Sequence, residues 1–295
     1  MHEKSFPQFL SLFDRSTNSL TKEWVSDVRK IEDISLLSTE EKIIGFEDWS
    51  KGRIELVLHP LTTHSDVALS KTFSKLKKLG LSSSSIRYAQ YERGLTFLSA
   101  ELSKADTLKL GELNVIRSVH PLGDIHFPQF RVSKKQDAPQ PPASQKPSPI
   151  KVGVFDGGTD PLNPLLLNHV VEHSLTKQSP ISKGLSHGSA VAGCVLYGPL
   201  NPYQPKAVLP VPSVSVESYR VFPTSDPNDP ELYEIIDNVE KIVSQRPDIK
   251  VYNLSFGPMG PIVDNHIRRF TYALDRLAFK HNVLFLVAVG NDGND

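Results

Sequence analysis

IKVGVFDGG, residues 150–158, reads as a buried strand running into a tight turn, because the apolar Ile150, Val152, Val154 and Phe155 are followed at once by Asp156, Gly157 and Gly158. The same texture repeats downstream. HGSAVAGCVLYG (187–198) reads as a helix, VESYRVF (216–222) as a strand and DPELYEIIDNVEKIVSQ (229–245) as a helix. IKVYNLSF (249–256) is the next strand, NHIRRFTYALDRLAFKH (265–281) the next helix and NVLFLVAVG (282–290) the last strand. Strands rich in Val, Ile and Leu that alternate with amphipathic helices predict a doubly wound, mostly parallel α/β sheet covered on both faces, over residues 150–295.

Upstream of this unit, QFRVSKKQDAPQPPASQKPSP (129–149) has no apolar periodicity and is rich in Pro, Ser, Lys and Gln, so it reads as an extended, solvated linker between two domains. Before it, RIELVLH (53–59) alternates like a strand, and Leu69, Phe73 and Leu76 share one face of a helix closed by Gly80. SSIRYAQYE (84–92) and LTFLSAEL (95–102) flank a turn at Arg93-Gly94. A short helix with Ser103 and Asp106 as its capping box follows, then the strand NVIRSVH (114–120). This order, over residues 51–128, is that of a small α+β domain with ferredoxin-like topology. Residues 1–50 read as a helical N-terminal segment. Phe9, Leu10, Leu12 and Phe13 stand in one stretch, and Trp24, Val25, Val28 and Ile31 fall at helical spacing in the next.

Lys plus Arg (33) balance Asp plus Glu (33), so no net field favours nucleic acid or an anionic membrane as partner. The single cysteine, Cys194, excludes an intramolecular disulfide. The N-terminus has no uninterrupted apolar core with a small-residue cleavage site, and no apolar run approaches membrane-spanning length. A cytoplasmic location with no membrane partner is the expectation.

In an open α/β sheet the ligand crevice lies beyond the carboxyl ends of the strands. Three polar residues qualify. Asp156 ends the first strand, His187 is read as opening a helix against the sheet, and Asn291 follows the last strand. Each has a plainer reading: a turn aspartate, a capping or core histidine, a turn asparagine. The constellation is sharper than its parts, because FDGG, HGSAVAG and VAVGN, in that order and with YNLSFGP before the last, resemble the ordered motifs of the subtilisin-like serine peptidases, the subtilases.

That resemblance covers about half the chain and implies roles. Asp156 matches the acid that orients the histidine, His187 the general base and Asn291 the side-chain donor of the oxyanion hole. Ser255, Phe256 and Gly257 match the segment along which an extended protein or peptide substrate is aligned. The fourth part, a nucleophilic Ser opening a helix in a Gly-Thr-Ser context, lies well downstream of the Asn in this family. Ser189, Ser225 and Ser255 lack that context, so the 295-residue chain is expected to be inactive alone. The alternative is a non-catalytic peptide-binding or inhibitory protein derived from the same fold. The first domain, by order and position, resembles the propeptides that assist folding and block the crevice, with residues 120–135 lying across it. No organic cofactor is implied, and structural calcium is a feature in which family members vary.

Other features read as structural. His169 and His173, with Glu172 adjacent, have a spacing that suits zinc on a helix but lack a third ligand, and they read as surface histidines. Asp156 and Asp160 in DGGTD allow a phosphoryl-transfer or magnesium reading, which leaves the other motifs unexplained. Cys194 reads as a small residue of an apolar helix face.

Overall fold

The computed structural model describes residues 11, 21–31, 37–60, 65–122, 138–144, 146–225, 233–257 and 266–288. Phe9, Leu10, Leu12 and Phe13, the crossing segment from 123 to 135, and Asn291 lie outside the described residues.

Helix α1 (Lys22–Val28) is capped by Thr21, whose hydroxyl accepts from the Trp24 amide, and none of its residues is buried. Helix α2 (Thr39–Lys42) opens with a full capping box formed by Ser38 and Glu41. The first sheet follows, with β1 (Lys51–Leu58), α3 (Ser65–Lys78), β2 (Arg87–Gln90), β3 (Thr96–Ser103), α4 (Lys104–Gly111) and β4 (Ile116–Pro121). Its order is β2-β3-β1-β4 with every neighbouring pair antiparallel, the ferredoxin-like arrangement that the element order predicts. Ser103 caps α4 by accepting from the Asp106 amide, but the Asp106 carboxylate accepts from the Ser103 hydroxyl.

Period-two alternation decides what each sheet face does. Ile54, Leu56 and Leu58 of β1 join Leu98, Ala100 and Leu102 of β3 in a core beneath α3 and α4, with Ala68 and Leu76 from α3. Each of these buried leucine and isoleucine side chains contributes roughly 1.5–3 kcal/mol. Glu55 and Val57 point the other way, toward the second domain.

That domain holds β5 (Lys151–Asp156), β6 (Val170–Ser174), α5 (Ser182–Tyr197), β7 (Ser215–Arg220), α6 (Tyr233–Gln245), β8 (Val251–Leu254), α7 (Arg269–His281) and β9 (Leu284–Val287). Its five strands run parallel in the order β6-β7-β5-β8-β9. On one face α5 buries Ala192 and Leu196 against Val154 and Val216. On the other, α6 and α7 bury Ile235, Val239, Ala273 and Leu277 against Phe155, Tyr219 and Tyr252. One ring from each strand forms a stacked row across this face, His173, Tyr219, Phe155, Tyr252 and Phe285, with centroids 5.1–5.8 Å apart. At the edge of the sheet, Leu284, Leu286 and Val287 of β9 are exposed.

Three readings need correction. Residues 170–174 form a strand, so His169 and His173 do not share the helical face that their spacing would allow. His169 precedes the strand and is buried with neither ring nitrogen hydrogen-bonded, and desolvation holds its imidazole below the usual histidine range. His173 lies in the strand and pairs with Glu217 at 2.6 Å. Cys194 is exposed, because Ala192 and Leu196 take the buried face of α5 and Cys194 falls on the opposite side. Among the described residues no group of three His, Cys, Asp or Glu side chains is placed to share a metal ion, and no helix is long and apolar enough to cross a membrane.

Glu217 is buried in β7 and accepts from Lys151 and Arg246 as well as meeting His173. Desolvation pushes its carboxyl up, but the hydrogen bonds from Arg246, Lys151 and His173 outweigh that and hold its pKa at about 2, against an ordinary 4.5. A carboxyl lowered in the folded state stabilises the fold above its unfolded pKa, and that contribution is lost as pH falls through the folded value. Glu217→Gln should therefore flatten the acid limb of the stability profile between about pH 4.5 and 2, read by urea unfolding at stepped pH. An unchanged limb would show that the network does not stabilise the fold.

The two domains are in contact. Val57, Leu95 and Phe97 pack on Tyr233, with Tyr91 and Tyr272 at the margin. Glu55, 1% exposed, accepts from the Tyr233 hydroxyl at 2.9 Å and from the Arg269 amide at 3.0 Å, and His120 Nε2 stands 3.2 Å away. Its carboxylate thus sits at the N-terminus of α7, where the orphan amides and helix dipole favour an anion. The described part of the Pro-rich segment is held too: Gln140 exchanges backbone hydrogen bonds with Ala207 and Leu209, and Pro142 is buried.

Candidate active site

Asp156 is the last residue of β5, the central strand, and is fully buried. Its side chain leaves the sheet where β7 and β8 lie on either side, the position at which connections depart to opposite faces. Helix α5 crosses this strand end and carries His187, 4% exposed. His187 Nδ1 is 2.8 Å from both Oδ1 and Oδ2 of Asp156. A carboxylate offers only acceptors there, so Nδ1 carries a proton, and the neutral imidazole has its lone pair on Nε2. The Gly157 amide donates to Asp156 Oδ1 at 2.6 Å and fixes the carboxylate from the backbone side.

The expectation that His187 opens the helix is wrong by more than a turn. The helix begins at Ser182 behind Ile181, and His187 stands in its second turn. Glycines explain why a helix fits there. Gly184 and Gly188, four apart, share one face, and a Cβ on Gly157 would lie 2.6 Å from Gly184 Cα. A Cβ on Gly188 would lie 2.1 Å from the carbonyl oxygen of Gly158. Without side chains at these positions the helix backbone rests directly on the turn after Asp156. Gly184 is the signal that the histidine motif leaves out: its spacing from Gly188 marks the contact face along the chain itself.

Ser255, Phe256 and Gly257 follow β8, in register one step beyond the Phe155–Leu254 pair and so beside Asp156. Phe256 is buried edge-on to Phe222, their ring centroids 5.0 Å apart. The Ser255 hydroxyl donates to Asn253 Oδ1. The described part of the structure thus brings Asp156 and His187 into contact and sets the segment 255–257 alongside. β9 pairs with β8 and ends at Val287, four positions before Asn291.

Parallel strands covered on both faces, with a carboxylate and an imidazole hydrogen-bonded at the carboxyl end of the central one, make an α/β domain with an acid–imidazole pair at its crevice. The subtilase family model, peptidase S8, matches residues 148–295, half of the chain, and the chain belongs to that family of serine peptidases. No curated protein matches it.

Proposed function

We propose that residues 150–295 supply the orienting acid, Asp156, the general base, His187, and the oxyanion donor, Asn291, of a subtilisin-type serine endopeptidase, with an extended peptide aligned along Ser255, Phe256 and Gly257. The observation that carries the reading is the two-oxygen seat of Asp156 on His187 Nδ1. It holds the tautomer whose Nε2 takes a proton. In the reaction a serine hydroxyl gives its proton to Nε2 as its oxygen bonds to the peptide carbonyl carbon, and the carbonyl electrons move onto oxygen. The tetrahedral species then expels the amine, which takes the proton back from Nε2. Hydrogen-bond donors fixed around the oxyanion stabilise it as its charge develops.

In support of a nucleophile other than the three candidate serines, each of them has a hydrogen-bond partner other than His187. The Ser189 hydroxyl accepts from the Asp160 amide, that of Ser225 accepts from the Lys177 amide, and that of Ser255 donates to Asn253. The pure 295-residue polypeptide should therefore hydrolyse peptide substrates several orders of magnitude more slowly than an intact triad. It should also take no fluorophosphonate label. Labelling of the protein from its native source tests the reading: a serine adduct lost in His187→Ala is expected. Protein that stays unlabelled but still binds extended peptides would favour the second reading, a non-catalytic peptide-binding or inhibitory protein, which the engaged serines also suit.

We further propose a propeptide-like role for the first domain. Its support is the sheet face of β1 and β3 laid on α6 and α7, with Glu55 at the start of α7.

A further inference from the structure

The turn that follows Asp156 is held from two sides, by Glu172 and Arg220 outside the site motifs and by Ser189 within the histidine motif. On one side the amide and hydroxyl of Thr159 both donate to Glu172 Oε2, the hydroxyl at 3.0 Å. Glu172 lies on β6, and its other oxygen faces Arg220 Nε of β7 at 3.8 Å. Arg220 is itself 6% exposed and fixed, donating to the Gln178 carbonyl at 2.8 Å and to the Ser174 hydroxyl. Its aliphatic stem lies over Gly158, whose φ of +95° leaves no room for a side chain: a Cβ there would be 2.7 Å from Arg220 Cδ. On the other side the Asp160 amide donates to the hydroxyl of Ser189, two residues beyond His187.

The turn between these anchors does two things for the pair. Its Gly157 amide aims the Asp156 carboxylate, and its Gly158 carbonyl is the surface on which α5 rests at Gly188. Register explains why Glu172 reaches it. Val170, Glu172 and Ser174 pair with Val216, Ser218 and Arg220, so all six face the α5 side of the sheet, the side on which the turn leaves β5.

We infer that Glu172 is a positioning residue for the Asp156–His187 pair, acting through Thr159 on the turn that carries the carboxylate. This rests on the proposed reading of the pair as orienting acid and base. Glu172 touches neither partner. What it fixes is the turn, and a turn free to relax lets the carboxylate leave its symmetric position on Nδ1.

The test is proton NMR of the full 295-residue chain, following the low-field Nδ1 proton of His187, assigned as the resonance that His187→Ala removes. Glu172→Ala should shift that resonance upfield and speed its exchange with solvent roughly tenfold. Glu172→Gln keeps one acceptor for Thr159 and should fall between alanine and wild type. Glu217→Gln, a carboxylate change on the opposite sheet face, should leave the resonance in place even where it lowers stability. A folded Glu172→Ala with wild-type shift and exchange overturns the inference. If that variant does not fold, the same outcome in Glu172→Gln overturns it. A wild-type spectrum without any resonance that His187→Ala removes overturns the reading of the pair itself, which is a separable result.

Discussion

Glu55→Ala should lower the stability of the protein by about 3 kcal/mol, because it removes the shared acceptor of two buried donors, each costing about 1–3 kcal/mol when unmet. Glu55 is buried, and its carboxylate accepts from the Tyr233 hydroxyl and the Arg269 amide together. Alanine takes the acceptor from both donors in a dry interface. The surrounding aromatic contacts of Tyr91, Phe97 and Tyr272 remain, so the domains should loosen rather than part. Urea unfolding followed by tryptophan fluorescence, with circular dichroism as a second probe, reads the effect. Two separated transitions in Glu55→Ala, where wild type shows one, are expected. A single transition at the wild-type midpoint would show that the carboxylate does not couple the domains.

Gly188→Ala and Gly193→Ala should have opposite signs although both sit in α5. On helix propensity alone each change gains about 1 kcal/mol, since glycine is the poorer helix former. At Gly193 nothing lies within 4 Å of the new methyl group, so that gain should appear as a raised Tm. At Gly188 the methyl would stand 2.1 Å from the Gly158 carbonyl oxygen and 3.3 Å from Asp156 Oδ1. Backbone meets backbone there, and no rotamer relieves the clash. Overpacking costs about 1–3 kcal/mol, and more where neither side can move. That exceeds the propensity gain, so a net loss of roughly 2 kcal/mol or more is expected. The helix must also lift from the turn, so the His187 Nδ1 resonance should move with it. A stable Gly188→Ala with an unchanged resonance would contradict the packing argument.

Much of the fold is legible in the residues. β1, β3, β4, β5, β7, β8 and β9 fall where alternation or apolar runs put them, and α3, α6 and α7 where helical spacing does. β6 is not legible, because an edge strand of five residues with Glu172 and His173 inside carries too weak an apolar signal. The start of α5 is hidden because Ser182 and Gly184 are poorer helix formers and Ile181 offers no side-chain cap, and contact with the turn overrides this. The partners of Asp156 and Glu172 are legible to different degrees: the motif order points to His187, whereas nothing local to Glu172 points to Thr159.

Periodicity and motif, which are properties of neighbours along the chain, carry the two-domain plan, the ferredoxin-like and parallel α/β classes, the family and the residues worth watching. Tertiary packing alone brings Asp156 to His187 across 31 positions and Glu55 to Arg269 across 214, and stacks one ring from each of five strands into a row. Such contacts depend on which strands become adjacent and in what register, and burial of whole faces sets that, a quantity no local stretch of residues contains.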